Sequence, residues 1–315
     1  MSLLSKSLLA ALAALTLLVY GAAIWILIAW IIRLIRRRPA PKRSRIRAVL
    51  RAAALVLAVA GIGCAIYAWK IEPGWIEVTQ VSLNSSKVPA SAGRVRIVHI
   101  SDLHCEAKSR LEDEIAERIA QAEPDLIVFT GDALNSPDGL PTFRSLMKRL
   151  VRTAPTFGVK GNWDEHSKDN VFADTGVVEL TGRAVHANVR GARIALTGAG
   201  VRHPADYRRL TAGVDKDEYV VMLFHYPDEA INASRQGVDL YLAGHTHGGQ
   251  IALPGYGALI TLSKHGKRFE SGLSHVDSTA VYVNRGLGME GHWAPRMRFC
   301  ARPEITVIDV WPSGQ

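Results

Sequence analysis

Two long runs of apolar residues open the chain and differ from everything that follows them. Residues 7–32 carry no charge, and residues 52–69 form a second apolar run bounded by Arg51 and Lys70. A run of about 20 apolar residues can cross the hydrocarbon of a bilayer as a helix. Neither run has the polar face that a surface helix of a soluble domain carries. The pattern therefore predicts two transmembrane helices, over about residues 7–32 and 52–69.

A cluster of basic residues lies between and beside the two runs. It comprises Arg33, Arg36, Arg37, Arg38, Lys42, Arg43, Arg45, Arg47 and Arg51, and Pro39 and Pro41 interrupt any helix there. The cluster follows the first run, whereas a cleaved signal peptide carries its charge in front. Short loops rich in Lys and Arg stay in the cytoplasm. We therefore expect residues 1–70 to form a multi-pass anchor in the cytoplasmic (inner) membrane. The polar domain would then face outward, into the periplasm or the extracellular space.

After residue 70 the pattern changes to short strands separated by turns. Alternating or wholly apolar stretches predict strands over residues 75–83, 94–100, 126–129, 156–159, 193–197, 219–224, 240–243, 280–283 and 305–310. Apolar residues on one helical face predict helices over residues 111–122 and 143–151. Strand and helix alternate in the first half, as in an α/β sheet whose site lies beyond the carboxyl ends of its strands. No linker interrupts residues 71–315, so we expect one domain there.

The charge distribution argues against a nucleic-acid partner. Residues 1–70 contain 11 Lys or Arg and no acidic residue, and the remaining 245 contain 27 basic and 29 acidic residues. The formal net charge of +9 therefore comes from the predicted anchor alone. A nucleic-acid-binding domain would carry basic residues on its own folded face. No nucleic acid is expected to bind here.

Five short polar signatures follow the predicted strands. They are Asp102-Leu103-His104, Gly131-Asp132, Gly161-Asn162, His225 and Gly244-His245-Thr246-His247. Asp102 and His104 are two residues apart, so in an extended strand they would face the same side. His245 and His247 repeat this spacing. Each signature alone is typical of a turn or of a packed histidine, but five in this order predict a common site.

These signatures offer oxygen and imidazole ligands for two divalent metal ions. The predicted ligands are Asp102, His104, Asp132, Asn162, His225, His245 and His247. A mixed donor set of this kind suits manganese, which we rank first, or Fe, Zn, Co or Ni, better than a Mg or Ca cage. Two cations around one shared carboxylate can activate a water and clamp a phosphoryl oxygen. The signatures therefore predict a phosphoester hydrolase.

The ordered set resembles the calcineurin-like metallophosphoesterase family, whose pattern is Asp-x-His, Gly-Asp, Gly-Asn-His, His and Gly-His-x-His. The resemblance spans residues 94–250, and residues 243–251 are similar to a membrane-anchored bacterial phosphodiesterase branch. It implies an α/β fold, a four-layer α/β/β/α sandwich of two mixed sheets. It also implies the division of the ligands: one metal would take Asp102, His104 and His247, the second Asn162, His225 and His245, with Asp132 bridging.

One position departs from the family pattern. The family's Gly-Asn-His is Gly161-Asn162-Trp163-Asp164 here. That histidine usually helps to stabilise the transition state or to protonate the leaving group, whereas an indole donates a hydrogen bond but cannot shuttle a proton. Activated leaving groups, or His166 as a substitute, would compensate. We expect Asp132, Asn162 and Asp164 to serve catalysis, with Asp164 either orienting a neighbouring ligand or capping its loop.

The loop of residues 286–298 and its arginines offer a further hypothesis. Arg285, Arg296 or Arg298 could face a substrate phosphate, and solvated loop charge is the alternative. His99, just before the first signature, is expected in the core or beside a ligand.

Two classes of function remain open. The first is a membrane-anchored phosphoesterase acting on a phosphodiester, a pyrophosphate or a phosphomonoester. The family branch includes enzymes similar to the UDP-diacylglucosamine pyrophosphatases of lipid A biosynthesis, and an anchor suits a lipid-linked substrate. An outward-facing domain, however, fits a cytoplasmic nucleotide sugar poorly. The second class is a catalytically weak, metal-binding membrane scaffold or interaction protein, which only Trp163 supports.

Overall fold

The computed structural model of the chain describes residues 3–37, 44–167, 169–201, 210–291 and 296–313, without the side chain of residue 166. The predicted helix break at Pro39 and Pro41 lies outside the described residues. Contacts divide the chain into two compact units, Met1–Ile71 and Glu72–Gln315. The division falls one residue from the boundary that composition predicts.

Two helices dominate the first unit. Helix α1 spans Leu3–Ile35 and helix α2 spans Arg45–Ile66, after which one π-helical turn covers Tyr67–Ile71. Both helices are long and apolar enough to cross a membrane. They extend beyond the apolar runs because the flanking Lys and Arg residues are themselves good helix formers.

The second unit is built on two six-stranded sheets. Its strands are β1 Glu77–Ser85, β2 Val95–Ile100, β3 Leu126–Phe129, β4 Thr156–Gly158, β5 Val178–Glu179, β6 Arg183–Val189, β7 Ala192–Gly198, β8 Tyr219–Leu223, β9 Leu240–Ala243, β10 Ala252–Leu253, β11 Gly257–Ala258, β12 Gly272–Val276, β13 Thr279–Val283 and β14 Glu304–Pro312. The first sheet has the order β1-β14-β2-β3-β4-β5 and the second has the order β12-β13-β9-β8-β7-β6. Strands β10 and β11 form a separate hairpin.

Both sheets are mixed. In the first, β2, β3, β4 and β5 run parallel, whereas β14 is antiparallel to β2 and parallel to β1. In the second, β7, β8, β9 and β13 are parallel and the edge strands β6 and β12 are antiparallel. The parallel strands of each sheet therefore end at one edge. This arrangement confirms the prediction of two mixed sheets.

Strand alternation sorts the apolar side chains into layers. In β3, Val128 faces the second sheet, whereas Ile127 and Phe129 face the opposite side. Helices α3 (Glu112–Gln121) and α4 (Leu140–Thr153) cover that outer side through residues such as Ile119 and Phe143. The short helix α5 (Ala230–Ser234) packs on the outer face of the second sheet. The predicted four-layer α/β/β/α sandwich is confirmed.

Candidate dinuclear metal site

The first three signatures arrive on neighbouring strands. Asp102 follows β2, Asp132 follows β3 and Asn162 follows β4, and these strands are adjacent in that order. Because they are parallel, their carboxyl ends meet at the edge to which β8 and β9 deliver His225 and His245. The sheet order thus brings the five segments together.

The prediction that Asp102 and His104 share an extended strand is wrong. Strand β2 ends at Ile100, and both residues have left-handed backbones, with φ of 49° and 43°. Three other predicted ligands also have left-handed backbones: Asp132 (φ 59°), His245 (φ 71°) and His247 (φ 52°). Each such non-glycine residue costs roughly 1–2 kcal/mol. Strain of this kind persists only where surrounding contacts hold it, as they do at functional sites.

One cluster of potential ligands comprises Asp102, His104 and His247. The two Nε2 atoms of His104 and His247 lie 3.2 Å apart, and Nε2 of His247 is 3.5 Å from Oδ1 of Asp102. All three side chains are buried, and their ligand atoms lie within 4.8 Å of one another. Imidazole nitrogens that converge in this way on a carboxylate oxygen can hold a divalent cation.

A second cluster comprises Asp132, His225 and His245, whose ligand atoms also lie within 4.8 Å. Nδ1 of His225 donates to the carbonyl of Thr130 at 2.8 Å, so its Nε2 points into the site, 3.0 Å from Oδ1 of Asn162. A backbone carbonyl that fixes the outer nitrogen in this way orients an imidazole for metal binding. His245 is partly exposed, unlike the other two members.

Asp132 lies between the two clusters. Its Oδ2 is 3.2 Å from Nε2 of His225 in the second cluster and 3.8 Å from Nε2 of His104 in the first. Its Oδ1 accepts a hydrogen bond from the backbone N–H of Trp163 at 2.9 Å. One oxygen of this carboxylate therefore faces the imidazoles of both clusters, as a bridging ligand must.

Burial and charge set the protonation of these groups. Burial lowers the pKa of His104 to about 4 and that of His245 to about 3, so their nitrogens stay unprotonated at neutral pH. Burial raises the pKa of Asp102 to about 7. Burial opposes the ionisation of Asp132 and His225, but their mutual attraction prevails, lowering the pKa of Asp132 to about 2 and raising that of His225 to about 9. Metal ions bind unprotonated imidazoles and carboxylates, so a bound ion would have to displace the proton of His225.

Asp164 holds the Asp132 and Asn162 loops together. Its Oδ2 accepts hydrogen bonds from the backbone N–H groups of Asp132 at 2.8 Å and Gly161 at 2.9 Å, and its Oδ1 accepts one from Ala133 at 2.8 Å. The side chain is buried, and burial raises its pKa to about 7. Of the two roles considered for this residue, these contacts favour orientation of a neighbouring ligand.

The glycines of two signatures are required by close packing of the loops. A Cβ on Gly161 would run into the carboxylate of Asp132, and one on Gly131 would meet the backbone of Gly161. Gly131 also has a φ of 96°, which L side chains rarely adopt. The Gly-Asp and Gly-Asn spacing thus follows from two backbones that approach each other beneath the ligands.

Arg298 stabilises the loop that packs against the Asp102 turn of the first cluster. Its side chain is wholly buried, and its guanidinium donates to four backbone carbonyls, those of Arg285, Gly286, Gly288 and Ala301, at 2.6–3.1 Å. The segment held in this way donates from Leu287 N to Ser101 O at 3.1 Å and from Gly288 N to Asp102 O at 2.6 Å. The arginine therefore braces the turn that carries Asp102. The sequence signal was the Gly- and Arg-rich loop, but its partners could not be read from it.

The hypothesis of a phosphate-facing arginine finds no support among the described contacts. Arg285 forms ion pairs with Glu304 and Glu77, at 3.2 and 2.8 Å. Arg296 pairs with Glu106, and Arg298 is used by the carbonyls described above. His292, in the same loop, lies outside the described residues.

Aromatic rings line the site on two sides. The Trp163 ring meets His104 edge-on, with centroids 5.6 Å apart, and the Tyr226 ring meets His245 edge-on at 4.5 Å. Tyr226 was not predicted, although it directly follows the ligand His225. His166, the predicted substitute for a catalytic histidine, has a side chain outside the described atoms.

His99 lies in the core beneath the site, as expected. Its Nε2 is 2.9 Å from Oγ1 of Thr130, the residue whose carbonyl accepts from His225. Burial lowers the pKa of His99 to about 3, so it packs as a neutral ring.

Comparison with known proteins agrees with this geometry. The sequence profile of the family described as calcineurin-like phosphoesterase matches residues 95–249. The uncharacterized metallophosphoesterase YkuE of Bacillus subtilis is 34% identical over 78% of this chain and 88% of its own length. The phosphodiesterase YaeI of Escherichia coli is 29% identical over 85% of this chain and 99% of its own. A Danio rerio transmembrane protein with a metallophosphoesterase domain is 29% identical over 74% of this chain and 56% of its own.

The fold and the two clusters of potential ligands are those of a metal-dependent phosphoester hydrolase. The chain belongs to the calcineurin-like metallophosphoesterase family. Among solved structures, TT1561 of Thermus thermophilus aligns at a TM-score of 0.42 with 14% identity, covering 61% of this chain and 90% of that one. The purple acid phosphatase PPD1 of yellow lupin aligns at 0.38 with 11% identity, covering 72% and 55%.

Proposed function

We propose that this protein is a membrane-anchored phosphoesterase that hydrolyses a phosphodiester or related phosphoester with two divalent metal ions, manganese first among them. The observation that carries the proposal is the position of Asp132, whose Oδ2 faces His225 at 3.2 Å and His104 at 3.8 Å. A carboxylate shared by two imidazole clusters suits a pair of cations better than a single structural ion.

We propose that the seven predicted ligands divide as the family resemblance implies, which the two clusters Asp102-His104-His247 and Asp132-His225-His245 support. Asp102, His104 and His247 would hold one ion. Asn162, His225 and His245 would hold the other, with Asp132 between them. Bound ions would supply an activated water and neutralise charge on the phosphoryl oxygens. The chain itself orients the ligands, since Asp164 fixes the Asp132 and Asn162 loops through three backbone N–H groups.

Trp163 restricts the leaving groups that we expect. An indole N–H can donate a hydrogen bond to a phosphoryl oxygen but cannot protonate a departing alkoxide. Substrates whose leaving group is already acidic, such as a phosphate in a pyrophosphate or an aryl oxide, would therefore react fastest. The name of the relative YaeI supports a phosphodiester as the substrate class.

The two apolar helices support anchoring in the inner membrane. Nine basic residues lie at positions 33–51 between and beside the apolar runs, which favours a cytoplasmic connection and an outward-facing second unit. This orientation argues against a cytoplasmic nucleotide sugar such as UDP-diacylglucosamine, and favours a lipid-linked phosphoester on the outer side. A reporter fused after residue 315, active only on one side of the membrane, tests this. A cytoplasmic signal would refute the orientation and favour the lipid A substrate.

The hydrolase is tested with a chromogenic phosphodiester and manganese. Full-length protein should turn the substrate over, and Asp132→Ala should abolish turnover. Asp217→Ala, which changes an exposed carboxylate, serves as the matched control and should leave turnover unchanged. If metal-loaded protein turned over none of a broad panel of phosphoesters, the scaffold alternative that Trp163 supports would replace this proposal.

A further inference from the structure

An exposed apolar surface follows the loop that carries His245 and His247. Ile251, Ile260 and Leu262 are 45%, 48% and 45% exposed, although large aliphatic side chains elsewhere in the second unit mostly form its core. They flank the small hairpin of β10 and β11, and we call residues 251–262 the apolar hairpin. Several large apolar side chains grouped on a surface mark an interaction site more often than a chance exposure.

The apolar hairpin is fixed to the rim of the metal site. A Cβ on Gly249, two residues after His247, would collide with Ala258 and would lie 3.1 Å from the carbonyl oxygen of Ile260. Ser263 directly follows the hairpin, and its Oγ donates to Oδ1 of Asp228 at 2.6 Å. Asp228 lies three residues after His225. The hairpin therefore connects the two loops that deliver the imidazoles of the second sheet.

Basic side chains border the apolar hairpin. Lys264, Lys267 and Arg268 are exposed and follow Leu262 in the sequence. Glu270, which pairs with Lys267 at 2.6 Å, is the single acidic residue within residues 251–270. The second unit otherwise carries more acidic than basic residues. Apolar side chains bordered by Lys and Arg suit an anionic lipid surface, because the former enter the headgroup boundary and the latter attract its charge. The same basic border would repel a second copy of this surface.

The position of the chain entry supports the same occupant. Glu72, the first residue of the second unit, lies three residues after the end of the second apolar run at residue 69. Its carboxylate accepts from the backbone N–H groups of Cys300 at 3.0 Å and Ala301 at 2.6 Å. The neighbouring Phe299 accepts from Ala252 N at 2.8 Å, so the apolar hairpin begins one backbone step from this anchoring contact. Because Glu72 is covalently joined to the apolar segment, its distance from a bilayer that held this segment would be limited to a few residues' length, at about 3.5 Å per residue.

We propose that the apolar hairpin docks on an anionic bilayer surface and places the metal site at the level of the lipid headgroups, so that the substrate is a phosphoester carried by a lipid. The inference rests on the proposed anchored phosphoesterase and deepens it by naming the surface on which the substrate is met. Ile251, Ile260 and Leu262 are the side chains that enter the interface.

Fluorescence quenching measures this contact without reference to activity. The full-length chain, with Cys64→Ala and Cys300→Ser, receives a bimane label at Leu262→Cys and is placed in nanodiscs that contain anionic phospholipid. The matched control is Leu273→Cys, whose native side chain is similarly exposed, at 42%, but lies on the edge strand β12 and lines a groove with Tyr219 and Ala280. A nitroxide attached to the lipids should quench the label at position 262 at least about twofold more than the label at 273.

Equal quenching at the two positions would overturn the docking surface. A label at 262 that is shielded from the nitroxide lipid and from aqueous iodide alike would overturn it too, since a second copy or another protein would then cover the hairpin. Both readouts remain valid if the protein proves to have no phosphoesterase activity, so the failure of the surface and the failure of the proposed function are distinguishable.

The substrate part is tested with the double variant Ile260→Ser and Leu262→Ser against Leu273→Ser. Turnover of a soluble chromogenic phosphodiester should be equal in the two, because neither changes the metal ligands. Turnover of a fluorescent phosphodiester carried on a vesicle lipid should fall about tenfold in the double variant alone, as two apolar contacts with the membrane are lost. An equal rate on the vesicle substrate would refute the lipid-borne substrate.

Discussion

The two clusters of potential metal ligands differ in their burial and in the contacts that position them. Asp102, His104 and His247 are all buried. The turn that carries Asp102 is hydrogen-bonded to residues 287–288, and the buried Arg298 holds the chain around these residues through four backbone carbonyls. In the other cluster, His245 is partly exposed, and so is Asn162. One cluster is thus enclosed by the protein and the other is open on one side.

This difference in burial suggests that the two clusters would differ in metal affinity and in access for the substrate. The enclosed cluster excludes solvent and would hold its ion tightly, because its ligands are orientated by several surrounding groups. The open cluster has room for a substrate oxygen, and the edge-on ring of Tyr226 beside His245 borders that room. We therefore expect a chelator to remove the ion of the open cluster first, and four variants sharpen or break this comparison.

The largest effect is expected from Gly286→Ala. Gly286 has a φ of 70°, and a Cβ there would lie 2.5 Å from Cβ of Asp102, so the enclosed cluster cannot keep its geometry. Turnover should fall about 100-fold, and elemental analysis should find one ion fewer per chain. Gly272→Ala is the control, because its φ is 80° but nothing lies within 4 Å. It should cost only about 1–2 kcal/mol of stability, the strain of its left-handed backbone. Equal losses in both variants would show that backbone strain, and not the contact with Asp102, is responsible.

Asp164→Asn should act on the shared carboxylate and the open cluster. The amide keeps one acceptor oxygen but loses an acceptor for the N–H groups of Asp132, Gly161 or Ala133. We expect metal affinity and turnover to fall by about 10- to 100-fold. Calorimetric manganese titration measures the affinities, with the exposed Asp217→Asn as the control. An unchanged affinity would mean that Asp164 only caps its own loop.

Arg298→Met should loosen the enclosed cluster more than the open one. Several buried carbonyls would lose their donor, which we expect to lower the free energy of unfolding by about 3 kcal/mol. Metal binding at the enclosed cluster should weaken about tenfold, with little change at the open cluster. Urea unfolding and the two phases of a manganese titration measure these effects. Equal weakening of both phases would contradict the bracing role.

Trp163→His should give the smallest effect and in the opposite direction. The new imidazole could protonate a leaving group, so turnover of an alkyl phosphodiester should rise up to about tenfold more than turnover of the p-nitrophenyl compound. Trp163→Phe keeps an aromatic ring beside His104 without a proton to donate, and should raise neither rate. Identical responses to the two leaving groups would show that position 163 does not serve as an acid.

The local pattern predicted nine strands, among them all those that deliver ligands, because apolar runs and turn residues act over a few positions. It missed β5, β6, β10, β11 and β12. The 30-residue spacing of Asp102, Asp132 and Asn162 is matched by β2, β3 and β4 as neighbours. The pattern did not predict the left-handed backbones of Asp102 and His104, since these depend on hydrogen bonds such as Asp102 N to Gly131 O, at 2.8 Å, from another strand.

Contacts between residues far apart in the sequence could not be predicted either. Arg298 lies in a loop whose composition suggested solvent or phosphate, and only the folded chain shows that carbonyls up to 13 residues away surround its guanidinium. Tyr226 likewise carried no motif, and its ring contacts His245, which follows a different strand. Partners of this kind are chosen by tertiary structure and have no local signature.

Strand β14 has a consequence for how the protein is made. It inserts between β1 and β2, pairing in register with nine residues of the former and five of the latter. The ribosome must therefore deliver residue 312 before the first sheet can close, whereas β2, β3 and β4 are synthesised about 150 to 210 residues earlier. Until then their apolar edge is open to wrong partners, so nascent chains stalled before residue 304 should require a chaperone to stay dispersed.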